Sequence, residues 1–470
     1  MQPSDPIAAV VHADPYPYYA TLAARPGLLF EPRLNLWLAA GAASARAVLE
    51  HADCLVRPLG EPVPAAIAGA PAGRVFAELV RMNEGARHTQ PKLALQRALA
   101  GVDVEVARRR AHALGLALWR ERGHCPGPGP GPGPGQNDGL GQYDGTGQKR
   151  YLGQDHGSGS GSGHGHGHGD GSGHGHGDGC DLADWMAALP VSAVASLIGF
   201  ADAELPAVAA WMGEFVACLS PLSDAGQLAR AHQAATALLA SFRVLLRHAS
   251  ARPQTLLAQV LAEAEAVGWD QADSLLANLV GLLSQTYEAT AGLLGNALIA
   301  RQRQADAAGA SAVGSVFGGV STTSAASATT AADTNGAGAR CDALLGGAPP
   351  RDGLQWAAAL VAAVSRDDPP VQNTRRFVAR DCVVAGTPLL AGQTVLVLLA
   401  AANHDPAGAG AVFGFGHGAH ACPGHALACA IASGALQAAA ELPLPARLAW
   451  RYRPSHNGRI PHFFNQQETV

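Results

Sequence analysis

Apolar residues recur along this chain mainly with the spacing of a helix, and they divide it into three blocks that we predict to fold. In the first block, 14–123, the stretch "DPYPYYATL" indicates a turn leading into a helix, and "LNLWLAAGAASARAVLEHA" indicates a short strand followed by a helix. The stretch "FAELVRMNEGARHTQPKLALQRAL" predicts a second helical region, interrupted near Gly85 and Pro91 because these residue types break helices.

The second block, 181–305, is predicted to be almost entirely helical. Its longest helix, 274–300, is apolar nearly all round, with a polar interruption only over 284–290. A helix that is apolar on every side is buried, so we expect this one to lie at the centre of the molecule.

The third block, 351–470, combines a helix in "LQWAAALVAAVSR" with strand-like runs in "RRFVARDCVVAG" and "TPLLAGQTVLVLLAAA", and it continues to a final helix. The predicted fold class is therefore mainly α with a minor β portion. We expect the blocks to form a single domain over residues 1–470.

Two low-complexity inserts separate the blocks. Residues 124–180 contain a Pro-Gly alternation and a Gly/Ser/His/Asp repeat without large apolar side chains, so we predict a disordered insert. Residues 306–350 are rich in Ala, Ser, Thr and Gly without periodicity, and we predict a second, flexible insert.

The composition excludes several classes of protein. The net charge of −5 comes without a basic stripe, so nucleic acid is not an expected partner. No leader-like segment and no run of about 18 apolar residues is present, so we expect no membrane span. Eight cysteines without a repeating spacing argue against a disulfide scaffold. We therefore expect a cytoplasmic protein, present as a monomer.

The candidate chemistry lies in "FGFGHGAHACPGHALACA", residues 413–430. Cys422 stands at the start of an apolar helix, where the helix dipole and free N–H groups favour a thiolate, a soft metal ligand. Gly416, Gly418 and Gly424 permit a close approach of the backbone to a flat ligand. Phe415 can cover the face of that ligand beside the sulfur.

This loop resembles the haem-binding loop F-G-x-G-x-H-x-C-x-G of the cytochrome P450 superfamily. The matching residues are Phe415, Gly416, Gly418, His420, Cys422 and Gly424. The resemblance implies a cytochrome P450-like haem-thiolate fold that binds heme b (iron protoporphyrin IX), with the iron held by Cys422. The segments "RDDPPVQNTRRFVARDCVVAG" and "VLVLLAAANHDP" resemble the family's sequence after its K helix.

The resemblance also implies basic residues that neutralise the two haem propionates. In family register these are His88, Lys92, Arg376 and His420. Lys92 stands where the family usually has Arg, so we expect one bidentate contact to be weakened.

The chain departs from the family in its K helix. Where the family has E-x-x-R, this chain has Ala363 and Arg366, and the Arg that the family adds from a later segment is also missing. A buried Arg without a carboxylate would be costly. We therefore expect Arg366 to contact Asp367, Asp368 or backbone carbonyls, or to reach solvent.

The central helix departs as well. The family's acid is retained as Glu288, but Ala289 replaces the alcohol that helps to deliver protons to dioxygen. Proton delivery needs a group within hydrogen-bond reach, directly or through one water. The candidates are Glu288 with Thr286 or Thr290. We also expect Leu283 and Tyr287 to line an apolar pocket for a hydrophobic small molecule.

Three activities stay open: monooxygenation with O2, a peroxide-driven oxidation or phenol coupling, and a haem protein without turnover. Monooxygenation is the preferred hypothesis, and it implies a separate ferredoxin and reductase because the chain shows no flavin or nicotinamide motif. A rival hypothesis is a metal-binding protein that uses the histidine repeat of 164–176.

Overall fold

The computed structural model describes residues 2–123, 182–317, 353–408 and 410–464. Helices predominate, as predicted, and are numbered here α1–α13 in chain order. They are Tyr16–Ala23, Ala42–Glu50, Pro71–Glu78, Ala86–Ala100, Val104–Gly123, Leu182–Ile198, Leu205–Phe215, Ala225–Arg247, Leu256–Val267, Ala272–Phe317, Gly353–Asp367, Leu399–Asn403 and His425–Glu441. All elements considered below belong to one compact unit, formed by Met1–Arg120 and Asp181–Val470.

Strands form the minor part of the fold. In order from β1 to β9 they are Leu29–Glu31, Leu36–Ala39, Cys54–Leu55, Thr374–Val378, Cys382–Val384, Thr387–Leu389, Thr394–Val397, Ala449–Tyr452 and Pro461–Phe464. Among the described residues, five of them form a sheet in the order β1-β2-β7-β4-β3, in which β2 and β7 are parallel. Alternate apolar residues of this sheet pack against α2 and α12 in one core cluster.

The helix α10 occupies the centre, as its apolar sequence predicts. It packs against α3, α6, α7, α8, α11 and α13. Close packing requires small residues: a Cβ at Gly295 would lie 2.8 Å from Met186 Cε and 2.9 Å from Pro461 Cγ. In its middle, however, Gln285 and Glu288 are exposed, and the residues between them are half-buried.

The structure corrects two predictions about helix boundaries. The helical region is interrupted at Gly85, which has a φ of +60°, but α4 continues through Pro91. Pro91 lies early in the helix, so only the carbonyl of Arg87 loses its helical N–H partner. The helix α10 also runs to Phe317, because the Ala-rich residues 306–317 of the predicted second insert are good helix formers.

The remainder of that insert, 318–350, lies outside the described residues, as does the predicted insert 124–180 with its histidine repeat. In the described part of the chain, no helix has both the length and the apolar character that crossing a membrane requires.

A buried ion pair joins distant parts of the chain. Arg459, which is 1% exposed, donates from Nε to Asp368 Oδ1 at 2.7 Å. Tyr16 donates its hydroxyl to the same oxygen, and the Tyr452 ring lies 3.8 Å from the Arg459 guanidinium. Arg459 also donates to backbone carbonyls of residues 10–13. The end of α11 is thereby connected to both the N-terminal and the C-terminal segments.

Candidate haem-thiolate site

The glycine-cysteine loop precedes α13 and is held by its own backbone. Gly416 and Gly418 have φ values of +76° and +63°, which other residues rarely adopt. A Cβ at Gly416 would lie 2.9 Å from the carbonyl oxygen of His420. The Cys422 N–H donates to the Phe415 carbonyl at 2.7 Å, so the loop closes on itself and sets the position of the cysteine.

The Cys422 side chain is exposed, although the surrounding protein partly desolvates its thiol. Burial raises the pKa of its thiol, while a hydrogen bond from the Gly424 N–H and the charge of Lys92 act in the opposite direction. A group that is surrounded by protein and still accessible faces an internal hollow. The sulfur therefore faces a hollow and already has one N–H donor that favours its anionic form.

Glu288 of α10 resembles Cys422 in this respect. Its side chain is exposed, although the surrounding protein partly desolvates its carboxyl group. Burial raises the pKa of Glu288, while the charges of Arg453 and Arg81 oppose the rise. The helices α10 and α13 pack against each other. Glu288 is thus an ionisable group, shifted by burial towards its protonated form, on a helix that packs against the cysteine helix.

The other two candidates for proton transfer on α10 differ in their surroundings. Thr286 donates its hydroxyl proton to the Leu282 carbonyl at 2.8 Å. Thr290 is only 2% exposed, so it presents almost no surface to a hollow. Of the three predicted residues, Glu288 is therefore the accessible one with an ionisable proton.

Three of the four predicted propionate-binding residues lie together beside the loop. The rings of His88 and His420 are 4.2 Å apart, and the Lys92 ammonium donates to the Ala421 carbonyl. Arg376 lies on β4, is 5% exposed, and donates to Thr374 Oγ1 at 3.2 Å and to the Arg375 carbonyl at 2.9 Å. It makes no ion pair with any residue of the described ranges.

Known proteins resemble this chain in a short stretch of sequence and in overall fold. No family model matches the chain. Relatives named "Putative cytochrome P450 140", from Mycobacterium tuberculosis and Mycobacterium bovis, are 41% identical over 81 residues. That match covers 14% of this chain and spans only 18% of the length of the relatives.

Solved structures match over almost the whole chain. CalO2 superposes with a TM-score of 0.66 at 19% identity, covering 98% of both chains. P450BioI, in complex with an acyl carrier protein ligated to hexadec-9Z-enoic acid, gives 0.62 at 17% identity and 96% coverage of both. CYP164A2 from Mycobacterium smegmatis gives 0.56 at 22% identity and 96% coverage of both. The chain has the cytochrome P450 fold.

A cytochrome P450 fold implies a haem, and the residues present fit one. The Cys422 thiol is accessible and has an N–H donor, as a thiolate ligand requires. His88 is buried, and its Nε2 has no hydrogen-bond partner among the described residues. Buried polar atoms in proteins almost always have a hydrogen-bond partner. A propionate oxygen of the haem would be such a partner for His88 Nε2.

Sequence reasoning missed Glu84, which lies among the basic residues of this P450 fold. Its carboxylate accepts from His420 Nε2 at 3.1 Å and from the Val56 N–H at 3.2 Å. Burial by itself would raise the pKa of Glu84. The hydrogen bond from His420 and the positive charge of His420 instead bring that pKa below its usual value. An acidic residue in a loop before α4 carries no periodic signal, so only the three-dimensional structure reveals this role.

Two contacts of the cysteine loop were also missed or only partly anticipated. The Phe415 ring stacks on His425, with centroids 3.7 Å apart and planes at 19°. His425 opens α13, and nothing in the one-dimensional motif pairs it with Phe415. Cys429, one turn further on, is half-buried, and its sulfur lies 3.9 Å from Ser365 Oγ.

The K-helix departure has the outcome that the sequence predicts. Arg366 donates to Asp367 from Nε at 3.1 Å, and its side chain is 32% exposed. Ala363, in the place of the family's glutamate, is 4% exposed within the core. The Arg366 guanidinium therefore pairs with the neighbouring Asp367 and is partly solvated, instead of contacting a glutamate at position 363.

The predicted apolar pocket lining is wrong at Leu283, which is fully buried and faces no hollow. Tyr287 is partly exposed, and its hydroxyl lies near Gly213 of α7. The accessible face of α10 instead contains Gln285 and Glu288. The helical period of an all-round apolar helix does not distinguish residues that face a hollow from residues that face neighbouring helices.

Proposed function

We propose that this chain is a haem-thiolate monooxygenase that inserts one oxygen atom from O2 into a small hydrophobic substrate. Electrons would come from a separate ferredoxin and reductase. The observation that carries the proposal is the accessible Cys422 thiol, which faces a hollow at the start of α13 and receives the Gly424 N–H. The P450 fold and the short match to the mycobacterial relatives support it.

Each predicted binding residue has a role in this proposal. Cys422 would hold the iron of heme b, and the loop glycines Gly416, Gly418 and Gly424 would let the backbone approach the ring. His88, Lys92, Arg376 and His420 would bind the propionates. When bound, the haem supplies the activation of dioxygen, with the thiolate as its electron-donating ligand.

Proton supply in this proposal depends on Glu288. Burial raises its pKa and so favours the protonated form that can supply a proton, and the residue is exposed in the middle of α10. Thr286 gives its own proton to the Leu282 carbonyl, so its oxygen remains available as an acceptor. Glu288 would therefore pass a proton through water, or through Thr286 once that hydroxyl rotates away from the Leu282 carbonyl.

The same residues give a second candidate function. Ala289 has no hydroxyl and Thr290 is buried, so neither position offers an accessible alcohol. A peroxide-driven oxidation or phenol coupling does not require guarded proton delivery to dioxygen. Turnover with peroxide but not with ferredoxin and reductase would establish this alternative in place of the first.

The test of the haem site is a carbon-monoxide difference spectrum of the reduced full chain. Wild-type protein is expected to give a thiolate-type spectrum, and Cys422→Ser is expected to lose it. Cys429→Ser is the matched control, because it removes another thiol of α13 and should leave the spectrum unchanged. A thiolate-type spectrum that survives in Cys422→Ser would overturn the assignment of the ligand.

A further inference from the structure

Arg81 is fixed beside the central helix by its neighbours in the chain. It lies in a short 3-10 helix, Val80–Met82, directly after α3. The Val80 N–H donates to Asn278 Oδ1 at 2.7 Å, and Asn278 Nδ2 donates to the Glu78 carbonyl at 2.9 Å. Asn278 belongs to α10, so these bonds hold the backbone around Arg81 against that helix.

The Arg81 side chain has no partner for its charge. Among the described residues, it makes no hydrogen bond and no ion pair, and its Nε is buried without an acceptor. The residue nevertheless keeps some accessible surface. Burial lowers the pKa of its guanidinium, and the charge of Glu288 opposes this effect. The unpaired guanidinium therefore lies close enough to Glu288, an exposed residue of α10, for the two charges to interact.

A second arginine approaches the same carboxyl group. Arg453 directly follows β8, and its charge acts on both Glu288 and Tyr287. It makes no ion pair within the part of the chain that the structure describes. The nearby Cys218 thiol stays neutral, since burial raises its pKa to about 12. The charges of two arginines thus act on one carboxyl group, which can balance at most one of them.

We propose that Arg81 and Arg453 form an anion-binding site in this hollow, and that the substrate is an apolar molecule carrying a carboxylate held by Arg81. The substrate class named here rests on the proposed function, because the hollow is taken as the substrate site. A guanidinium presents a planar set of donors that matches a carboxylate in two parallel hydrogen bonds. A neutral substrate would leave the buried charge uncompensated.

Matched ligand pairs test the proposal on the haem-loaded full chain at pH 7.5. Calorimetric titration compares three acids with their primary amides: dodecanoic, 3-phenylpropionic and adamantane-1-carboxylic acid. In at least one pair, the acid is expected to bind at least 10-fold more tightly. Arg81→Gln is expected to weaken that acid roughly 10- to 100-fold and to leave the amide within about 3-fold.

Two further variants sharpen the result. Arg81→Lys keeps the charge without the planar donors, so it should recover part of the affinity. Arg447→Gln removes an exposed arginine and should bind every ligand as the wild type does. Equal binding of acid and amide in every pair, acid binding unaffected by Arg81→Gln, or no binding by any acid each overturns the proposal.

Stability gives a readout that does not depend on turnover. Arg81→Met removes an unpaired buried charge and should raise the melting temperature of ligand-free protein. The preferred acid should raise the melting temperature of the wild type but not that of the variant. A thiolate-type spectrum without acid preference refutes only this proposal, whereas acid preference without haem binding refutes only the proposed function.

Discussion

At the scale of single residues, the site depends on groups whose surroundings oppose their usual charge. Cys422 and Glu288 are both pushed by burial towards their protonated forms, while nearby N–H groups or cations favour ionisation. His88 is pushed towards its neutral form. Such opposed environments are common where a protein must hold a charged cofactor or move a proton.

His88 should make the haem-free protein sensitive to acid. Burial, with the charges of His420 and Lys92, lowers its pKa from 6.5 to about 4. Between these two values the unfolded chain binds a proton that the folded protein does not, so the free energy of unfolding falls as the pH drops through this window. The loss should reach about 2–3 kcal/mol at pH 4.

Guanidinium unfolding of haem-free protein at pH 7, 5.5 and 4.5 measures this effect. His88→Gln should flatten the dependence, and His248→Gln, at an exposed position, should retain it. An unchanged slope in His88→Gln would show that another group is responsible for the acid sensitivity.

At the scale of elements, two arginines near the end of α11 contrast in how they are held. Arg459 and Asp368 form a buried pair that ties this helix to two distant segments. Arg366 pairs with Asp367, its neighbour in sequence, and is partly solvated. Arg459 therefore connects the end of this helix to distant segments, whereas the pair made by Arg366 is local.

We predict that removing the two arginines lowers the free energy of unfolding by very different amounts. Arg459→Met leaves Asp368 buried without its cation and should lower the free energy of unfolding by about 3–5 kcal/mol. Arg366→Gln breaks a partly exposed pair and should cost less than about 1 kcal/mol. Denaturant unfolding at pH 7 compares the two, and a larger loss in Arg366→Gln would contradict the assignment.

The helices, the strands and the cysteine loop could be predicted from the sequence more fully than the charged residues around the site. The loop could be predicted because all of its residues lie within one short motif, and α10 because its apolar period is strong. Arg81, Glu84 and Arg453 could not, since they come from segments far apart in the chain and without periodicity. Pro91 was misjudged because a proline near the start of a helix costs little.

At the scale of the whole molecule, the histidine repeat lies outside the described residues and supplies none of the predicted site residues. Deletion of 126–179 should therefore leave the carbon-monoxide spectrum and turnover intact. The full-length control replaces five histidines with alanine: His164, His166, His168, His174 and His176. If wild-type protein shows no turnover and the deletion abolishes only Ni²⁺ or Zn²⁺ binding, the metal-binding hypothesis replaces the enzyme.

The junction at Asp368 also bears on how the protein is made. Two of its side-chain partners, Tyr16 and Arg459, are far apart in the sequence, so the second is synthesised long after the first. Until then the early segment has no cationic anchor. Prematurely terminated products would keep an unneutralised acid in their interior, and quality-control proteases should remove them quickly.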